Sequence, residues 1–271
     1  MAFLDFTQAY DNVDREELWK HLRKIGMPDF LMAAIKALYK NDQYILVDGH
    51  KQTDPISPTR GVKQGCPLSP LLFSLFINDF APSSSNGVKL CESEEYISHL
   101  FYADDLTLLS SSPQNLDSLL RALHTYAGRK GLTINVKKSQ VMVCSNARTA
   151  ALHEFKYGDH VLEQVDEFKY LGVLFDKSGS LNIAEKQWAR NLLIATNSVL
   201  SLASKHGLSS QLDLVLSLYQ TYATSLGLYA CQIWCTPFLA PSKALNTRIE
   251  KVHLAFLRLL VRAHRERVVG P

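Results

Sequence analysis

The feature that most constrains this chain is an acidic step between two apolar runs. Ile97 to Tyr102 leads in, Asp104-Asp105 form the step, and Leu106 to Leu109 leads out. Strand-forming residues on both sides of a short polar break predict a β-hairpin. Such a hairpin carries two carboxylates at its tip. Adjacent carboxylates repel unless positive charge stands between or above them. A divalent cation supplies that charge, and hard oxygen donors suit Mg²⁺. The bland alternative is a solvated turn, because Asp is a common turn residue. A motif this short does not choose between the two.

The chain ahead of the hairpin adds a third acid. Ala2 to Phe6 reads as a strand with Asp5 in an apolar setting, which packing does not explain. Thr7 to Tyr10 turn. Asp14 then caps a helix that runs to Gly26, with Glu16 and Glu17 in its first turn and Leu18, Leu22 and Ile25 as its apolar stripe. A second helix is predicted from Pro28 to Tyr39, with Phe30, Leu31, Ala34, Ile35 and Leu38 inward. A hairpin turns at Asp48-Gly49. Glycines and prolines between Arg60 and Pro70 forbid a regular element there. Ser69 as cap and Pro70 as first helical residue open a buried helix through Leu71, Leu72, Leu75, Phe76 and Phe80. So a glycine-rich loop carrying Gln64 feeds a core helix. The loop is either a plain connector or a backbone that lies close to a ligand.

Beyond the acidic hairpin, Ser112-Pro113 start a helix that Gly131 ends. Strands are predicted near 140–144 and over 167–175, the latter with Gly172 as a bulge or close approach. After Gly179 the pattern turns helical, with helices near 182–206, 209–236 and 241–264. The last has Leu245, Ile249, Val252, Phe256, Leu259 and Leu260 inward and Arg248, Lys251, Arg258 and Arg262 outward. The fold class is therefore α+β over residues 1–180, then all-helical over 181–271.

Composition excludes more than it proves. No apolar run among the 271 residues is long enough to span a bilayer, and the N-terminus lacks a signal peptide's basic head and apolar body. A cytosolic or nuclear setting is expected, with no membrane partner. Cys66, Cys91, Cys144, Cys231 and Cys235 are odd in number, widely spread and free of Cys-x-x-Cys, which argues against a disulfide framework or zinc module. Cys231 and Cys235 read as core residues on one helix face. A net charge of +3 is too small to prove a nucleic-acid partner, but Arg258, Arg262, Arg265 and Arg267 crowd the C-terminal end.

Carboxylates from separate strands are the arrangement that holds two metal ions for in-line phosphoryl transfer. At this point the chain resembles the reverse transcriptases, most closely those of non-LTR, LINE-type retrotransposons. Three stretches carry the resemblance: Asp5-Phe6-Thr7-Gln8-Ala9-Tyr10-Asp11, Gly61 through Phe73, and Phe101-Tyr102-Ala103-Asp104-Asp105. Gly131 through Ser139 and Phe168-Lys169-Tyr170-Leu171-Gly172 follow in the family's order. Five stretches in one order are a far more specific signal than any one of them. The resemblance covers residues 1–176 and extends loosely over the helical remainder.

The resemblance implies a polymerase palm, an antiparallel sheet with helices on one face, followed by a thumb-like helical region. It implies an RNA-directed DNA polymerase that joins deoxynucleoside triphosphates to a DNA primer on an RNA template. Asp5 and Asp104, with the Phe6 carbonyl, would hold two Mg²⁺ ions, Mn²⁺ being a possible substitute, and Asp105 would support them. Tyr10 would be the sugar gate. Backbone amides of Gln8 and Ala9 would approach the triphosphate. Gln64 would contact the nucleotide and Gly65 would leave room for it. Lys138 would protonate pyrophosphate as a general acid, its bland alternative being a surface charge. Leu171 and Gly172 would belong to the primer grip, and the C-terminal helices would track a duplex through its phosphates.

The family's fingers precede the strand that holds Asp5, whereas only four residues precede it here. Residues 1–271 alone are therefore expected to bind primer–template weakly and extend it negligibly. Two other classes stay open. One is an RNA-binding splicing cofactor of the maturase type. The other is a non-catalytic retroelement remnant.

Overall fold

The computed structural model describes residues 1–40, 42–90, 94–144, 153–235 and 247–268, without the side chains of Trp234 and residues 262–268. Cys91, Leu245 and the side chains of Arg262, Arg265 and Arg267 therefore lie outside the description. The chain forms two compact units, one built on Met1–Val143 with the stretch up to Val165, the other from Asp166 onward. The hairpin after Asp166 packs with the helices that follow it.

In the first unit the elements are β1 (Ala2–Asp5), α1 (Arg15–Lys24), α2 (Asp29–Lys40), β2 (Val47–Asp48), β3 (Lys51–Gln52), α3 (Ser69–Ile77), β4 (Val88–Lys89), β5 (Tyr96–Ile97), β6 (His99–Tyr102), β7 (Asp105–Leu108), α4 (Pro113–Lys130), β8 (Gln140–Val141), β9 (Lys156–Tyr157), β10 (His160–Val161) and β11 (Glu163–Gln164). The main sheet has the order β11-β8-β1-β7-β6. Its pairs are antiparallel except β11 with β8, which are parallel, so the sheet is mixed. Ala2, Leu4, Leu106 and Leu108 lie in the core; Phe3 and Thr107, on the other face, are buried too. Both central strands are therefore covered on both faces, and register decides which side chains meet which layer, because a one-residue slip would send every one of them to the opposite face.

Local chemistry sets the helix ends. Asp14 accepts hydrogen bonds from the Glu16 and Glu17 amides and starts α1. The Ser112 hydroxyl accepts from the Asn115 amide and starts α4. Ser69 does not cap α3; it is buried inside the first turn and its hydroxyl donates to the Lys63 carbonyl at 2.5 Å. A long-range bond to the preceding loop has displaced the capping role. Leu71 of α3 is exposed, and Phe80 is buried beyond the helix end.

Helix α2 also corrects the expected stripe. Met32, Ile35 and Tyr39 face the core, whereas Phe30, Leu31 and Leu38 are exposed. The helix is apolar almost all round, so periodicity alone could not select its buried face.

The second unit holds β12 (Glu167–Tyr170), β13 (Val173–Asp176), α5 (Asn182–Lys205), α6 (Leu212–Leu218), α7 (Thr224–Gly227), α8 (Cys231–Trp234) and α9 (Arg248–Val268), with a π turn over Tyr219–Ala223 between α6 and α7. The single strand expected over 167–175 is a hairpin. Leu171 and Gly172 are its two-residue turn, both at positive φ, 45° and 85°. Two positive φ values suit the twist of a tight hairpin, and glycine adopts one of them without strain.

The helix expected over 209–236 is likewise interrupted. Ala230 takes a left-handed φ of 53°, which breaks the run before α8. The interior of this unit is α5 against α9, with Tyr219 stacked on Phe256 at 3.8 Å between ring centroids. Leu259, expected inside, is exposed. Cys231 and Cys235 are half-buried at either end of the short α8.

Candidate active site

Strand pairing brings the acids together. Asp5 is the register partner of Asp105 across β1 and β7. Directly opposed residues of antiparallel strands point to the same face. Asp104 sits in the two-residue turn between β6 and β7, whose last pair is Tyr102 with Asp105. The turn is strained: Ala103 takes φ 52°. Gln8, just beyond β1, takes φ 45°. Left-handed non-glycine residues concentrate at functional sites, and here two of them flank the carboxylates.

Electrostatics reports the same crowding. Burial pushes the Asp105 carboxyl above its ordinary 3.8, and the negative charges of Asp104 and Asp5 push it further. For an acid raised in this way, the stabilising contribution is complete below 3.8 and is lost as pH rises through the folded value. Asp104→Asn should therefore bring the Asp105 titration back toward 3.8. Carboxyl carbon-13 shifts followed against pH test this, and an unmoved titration would show that Asp104 does not act on Asp105.

A second segment fixes the other side of β1. The Asn135 amide donates to the Asp5 carbonyl at 2.7 Å, and the Thr7 amide to the Thr133 carbonyl at 2.8 Å, around a bridge between Phe6 and Ile134. The Asp5 amide donates to the hydroxyl of Ser139, which is fully buried. This places Lys138 beside the acid: its Nζ lies 3.9 Å from Asp5 Oδ2, with 70% of the side chain exposed. Ser139 carries no role in the sequence reading. Its only signal there was a small hydroxyl residue closing a charged run.

Tyr10, Gln64 and Gly65 line one cavity of about 470 Å³, together with Lys63, Cys66, Pro67, Ser69 and Pro70. The Tyr10 ring stacks on Phe73 at 4.9 Å between centroids, with an angle of 18° between the planes. Its hydroxyl is pushed to higher pKa by burial and then by the charge of Asp104, so the cavity wall and the acidic turn are neighbours. A larger groove of about 740 Å³, lined by Trp19, Tyr39 and Lys36 among others, contains none of these residues. Size alone does not locate the site.

Leu171 and Gly172 belong to the second unit. There the Tyr229 hydroxyl donates to the Leu171 carbonyl at 3.2 Å, and a Cβ on Gly172 would lie 3.0 Å from the Tyr229 ring. Arg258 is exposed on α9.

Hard carboxylate oxygens with mutual repulsion are what a divalent cation relieves. Among the described residues, however, no group of three or more His, Cys, Asp or Glu side chains could hold a metal ion. The carboxylate oxygens of Asp5, Asp104 and Asp105 are of the type that suits a hard cation. Among the described residues no helix is long and apolar enough to cross a membrane.

These features describe a mixed α+β domain with an acidic strand-end site beside a glycine-bearing loop. Residues 1–175 match the family described as reverse transcriptase (RNA-dependent DNA polymerase), and the chain belongs to that family. It is similar to the Pol polyprotein of the retrotransposable element R2 from Popillia japonica, with 30% identity over 210 residues, 70% of this chain and 33% of the relative. It is also similar to the R2 polyprotein of Nasonia vitripennis, at 27% identity over 68% of this chain and 19% of the relative. A third relative is the RNA-directed DNA polymerase of the mobile element jockey from Drosophila melanogaster, at 27% identity over 86% of this chain and 25% of the relative. The chain thus spans between about a fifth and a third of the length of these curated relatives.

Proposed function

We propose that this chain is the reverse transcriptase domain of a non-LTR retrotransposon protein, joining deoxynucleoside triphosphates to a primer 3′-hydroxyl on an RNA template. The observation that carries the reading is Asp5 opposite Asp105, with Asp104 in the adjoining turn, beside the Tyr10–Gln64–Gly65 cavity. Asp5 and Asp104, with the Phe6 carbonyl, are the groups that would hold divalent cations of the Mg²⁺ type. Such ions, when bound, acidify the attacking hydroxyl and neutralise phosphate charge. Asp105 supplies further negative charge at their edge. Lys138, an exposed cation close to Asp5, can meet a departing pyrophosphate. Backbone amides at Gln8 and Ala9 fit phosphate oxygens in the turn that follows β1.

The same arrangement gives Tyr10 its role. Stacking on Phe73 sets the ring at the cavity wall, where it would crowd a bulkier sugar. Grafting residues 1–175 into a curated relative in place of its matched stretch allows the reading to be tested by primer extension. In that protein Tyr10→Ala should raise ribonucleotide incorporation relative to deoxynucleotide by at least about tenfold, the scale of steric discrimination in an enzyme pocket. Unchanged discrimination would place the sugar gate elsewhere. Failure of the graft to extend any primer, with the relative's own segment active in parallel, would sink the polymerase reading.

A further inference from the structure

Gln64 is not free at the cavity edge. Its side-chain nitrogen lies 3.0 Å from one carboxylate oxygen of Asp11 and 3.1 Å from the other. A carboxylate only accepts hydrogen bonds, so the atom facing Asp11 must be the amide nitrogen. The Gln64 carbonyl oxygen is therefore the end left for the cavity that Gln64 lines. Both partners are exposed, and an isolated surface contact of this kind would mean little.

The backbone makes this contact more than that. The Val62 amide donates to the Tyr10 carbonyl and the Gly61 amide to the Val13 carbonyl, each at 2.8 Å. Arg15 Nε donates to the Gly61 carbonyl at 2.8 Å. Gly61, at φ 84°, lies so close that an added Cβ would stand 3.0 Å from the Asp11 carbonyl oxygen. The two segments are thus fixed against each other on both sides of Asp11 and just ahead of Gln64.

We propose that Asp11 is a positioning residue: it locks the Gln64 amide so that the cavity is offered a hydrogen-bond acceptor, which selects a nucleotide presenting a donor there. This rests on the polymerase reading of the cavity. Sign separates the proposal from a charge effect. If Asp11 acted only through its negative charge, removing that charge would tighten a triphosphate. Removing the lock instead lets Gln64 flip, which weakens binding.

The test measures the affinity of the chain for dATP with Mg²⁺ in four proteins: unaltered, Asp11→Asn, Gln64→Glu, and the double variant. Asp11→Asn should weaken dATP about 5- to 10-fold, the effect of one lost hydrogen bond. Gln64→Glu should weaken it more, because two carboxylates would then face each other. The double variant should recover to within about threefold of the unaltered chain, since it exchanges the two groups: the new amide donates to the new carboxylate, and an acceptor still faces the cavity. Tighter or unchanged binding by Asp11→Asn, or a double variant no better than the worse single one, overturns the proposal.

The Gln64 side-chain amide resonances in nitrogen-15 spectra report the contact without nucleotide. They should move in Asp11→Asn, and their failure to move also overturns the proposal. If they move but the unaltered chain does not bind dATP at all, the proposal falls, while the polymerase reading stands or falls with primer extension by the graft.

Discussion

Asp104→Ala should abolish primer extension by the grafted polymerase, a loss on the order of 10³-fold, while leaving the fold intact. The size follows from the role. Losing one electrostatic stabiliser of the reacting phosphates costs roughly 10²–10³ in rate, and Asp104 is one of the two carboxylates that would hold the cations in that role. The fold should survive because Asp104 sits in a turn and stabilises nothing by packing. Its charge opposes that of Asp105, which burial and two carboxylate neighbours already hold above its ordinary pKa. Relief of that repulsion should leave thermal stability equal or slightly raised at neutral pH. Asp5→Ala should be as severe in activity. Extension within about tenfold of the unaltered protein would remove Asp104 from the chemistry, and a large fall in melting temperature would show that it is structural.

Glu185→Ala should destabilise the second unit by about 3 kcal/mol, as the stranding of buried donors requires. Glu185 is 1% exposed in the first turn of α5. Its carboxylate accepts from the Arg248 amide at 2.5 Å, the Arg248 guanidinium at 2.5 Å and the Ile249 amide at 3.3 Å. These amides are at the N-terminus of α9, where the helix has no acceptors of its own. A carboxylate there also complements the helix dipole. Removing it strands the buried Ile249 amide and the part-buried Arg248 amide, at about 1–3 kcal/mol each, and returns a half-exposed guanidinium to solvent. The Thr247–Glu250 capping box would remain, with the Thr247 amide and hydroxyl donating to Glu250 at 3.1 Å, and this limits the loss. Amide hydrogen exchange over α5 and α9 is the measurement. Glu185→Gln should lie between the two, since it keeps an acceptor and loses the charge. Unchanged protection in Glu185→Ala would show that the capping box alone holds α9.

The sequence by itself determined the elements whose signals are local. Asp14 before α1, Ser112-Pro113 before α4 and the Asp104-Asp105 step between β6 and β7 each act within a few residues, so residue type and spacing suffice to find them. Five ordered stretches likewise identified the family without any structure. Where the signal was ambiguous, packing decided. Helix α2 is apolar on more than one face, and only its neighbours selected Met32, Ile35 and Tyr39 for burial. The 167–175 run reads as one strand, yet its Leu171-Gly172 pair folds it back as a turn.

The candidate site is the clearest division. Which residues carry carboxylates was written in the chain. That Asp5 lies opposite Asp105, that Ser139 and Lys138 come to its other side, and that Asp11 holds Gln64 were decided only by pairing between segments 53 to 134 positions apart. Sequence patterns report which face of an element is apolar. Contacts between distant polar groups depend on register and backbone angle, and those are fixed only once the core has closed around β1 and β7.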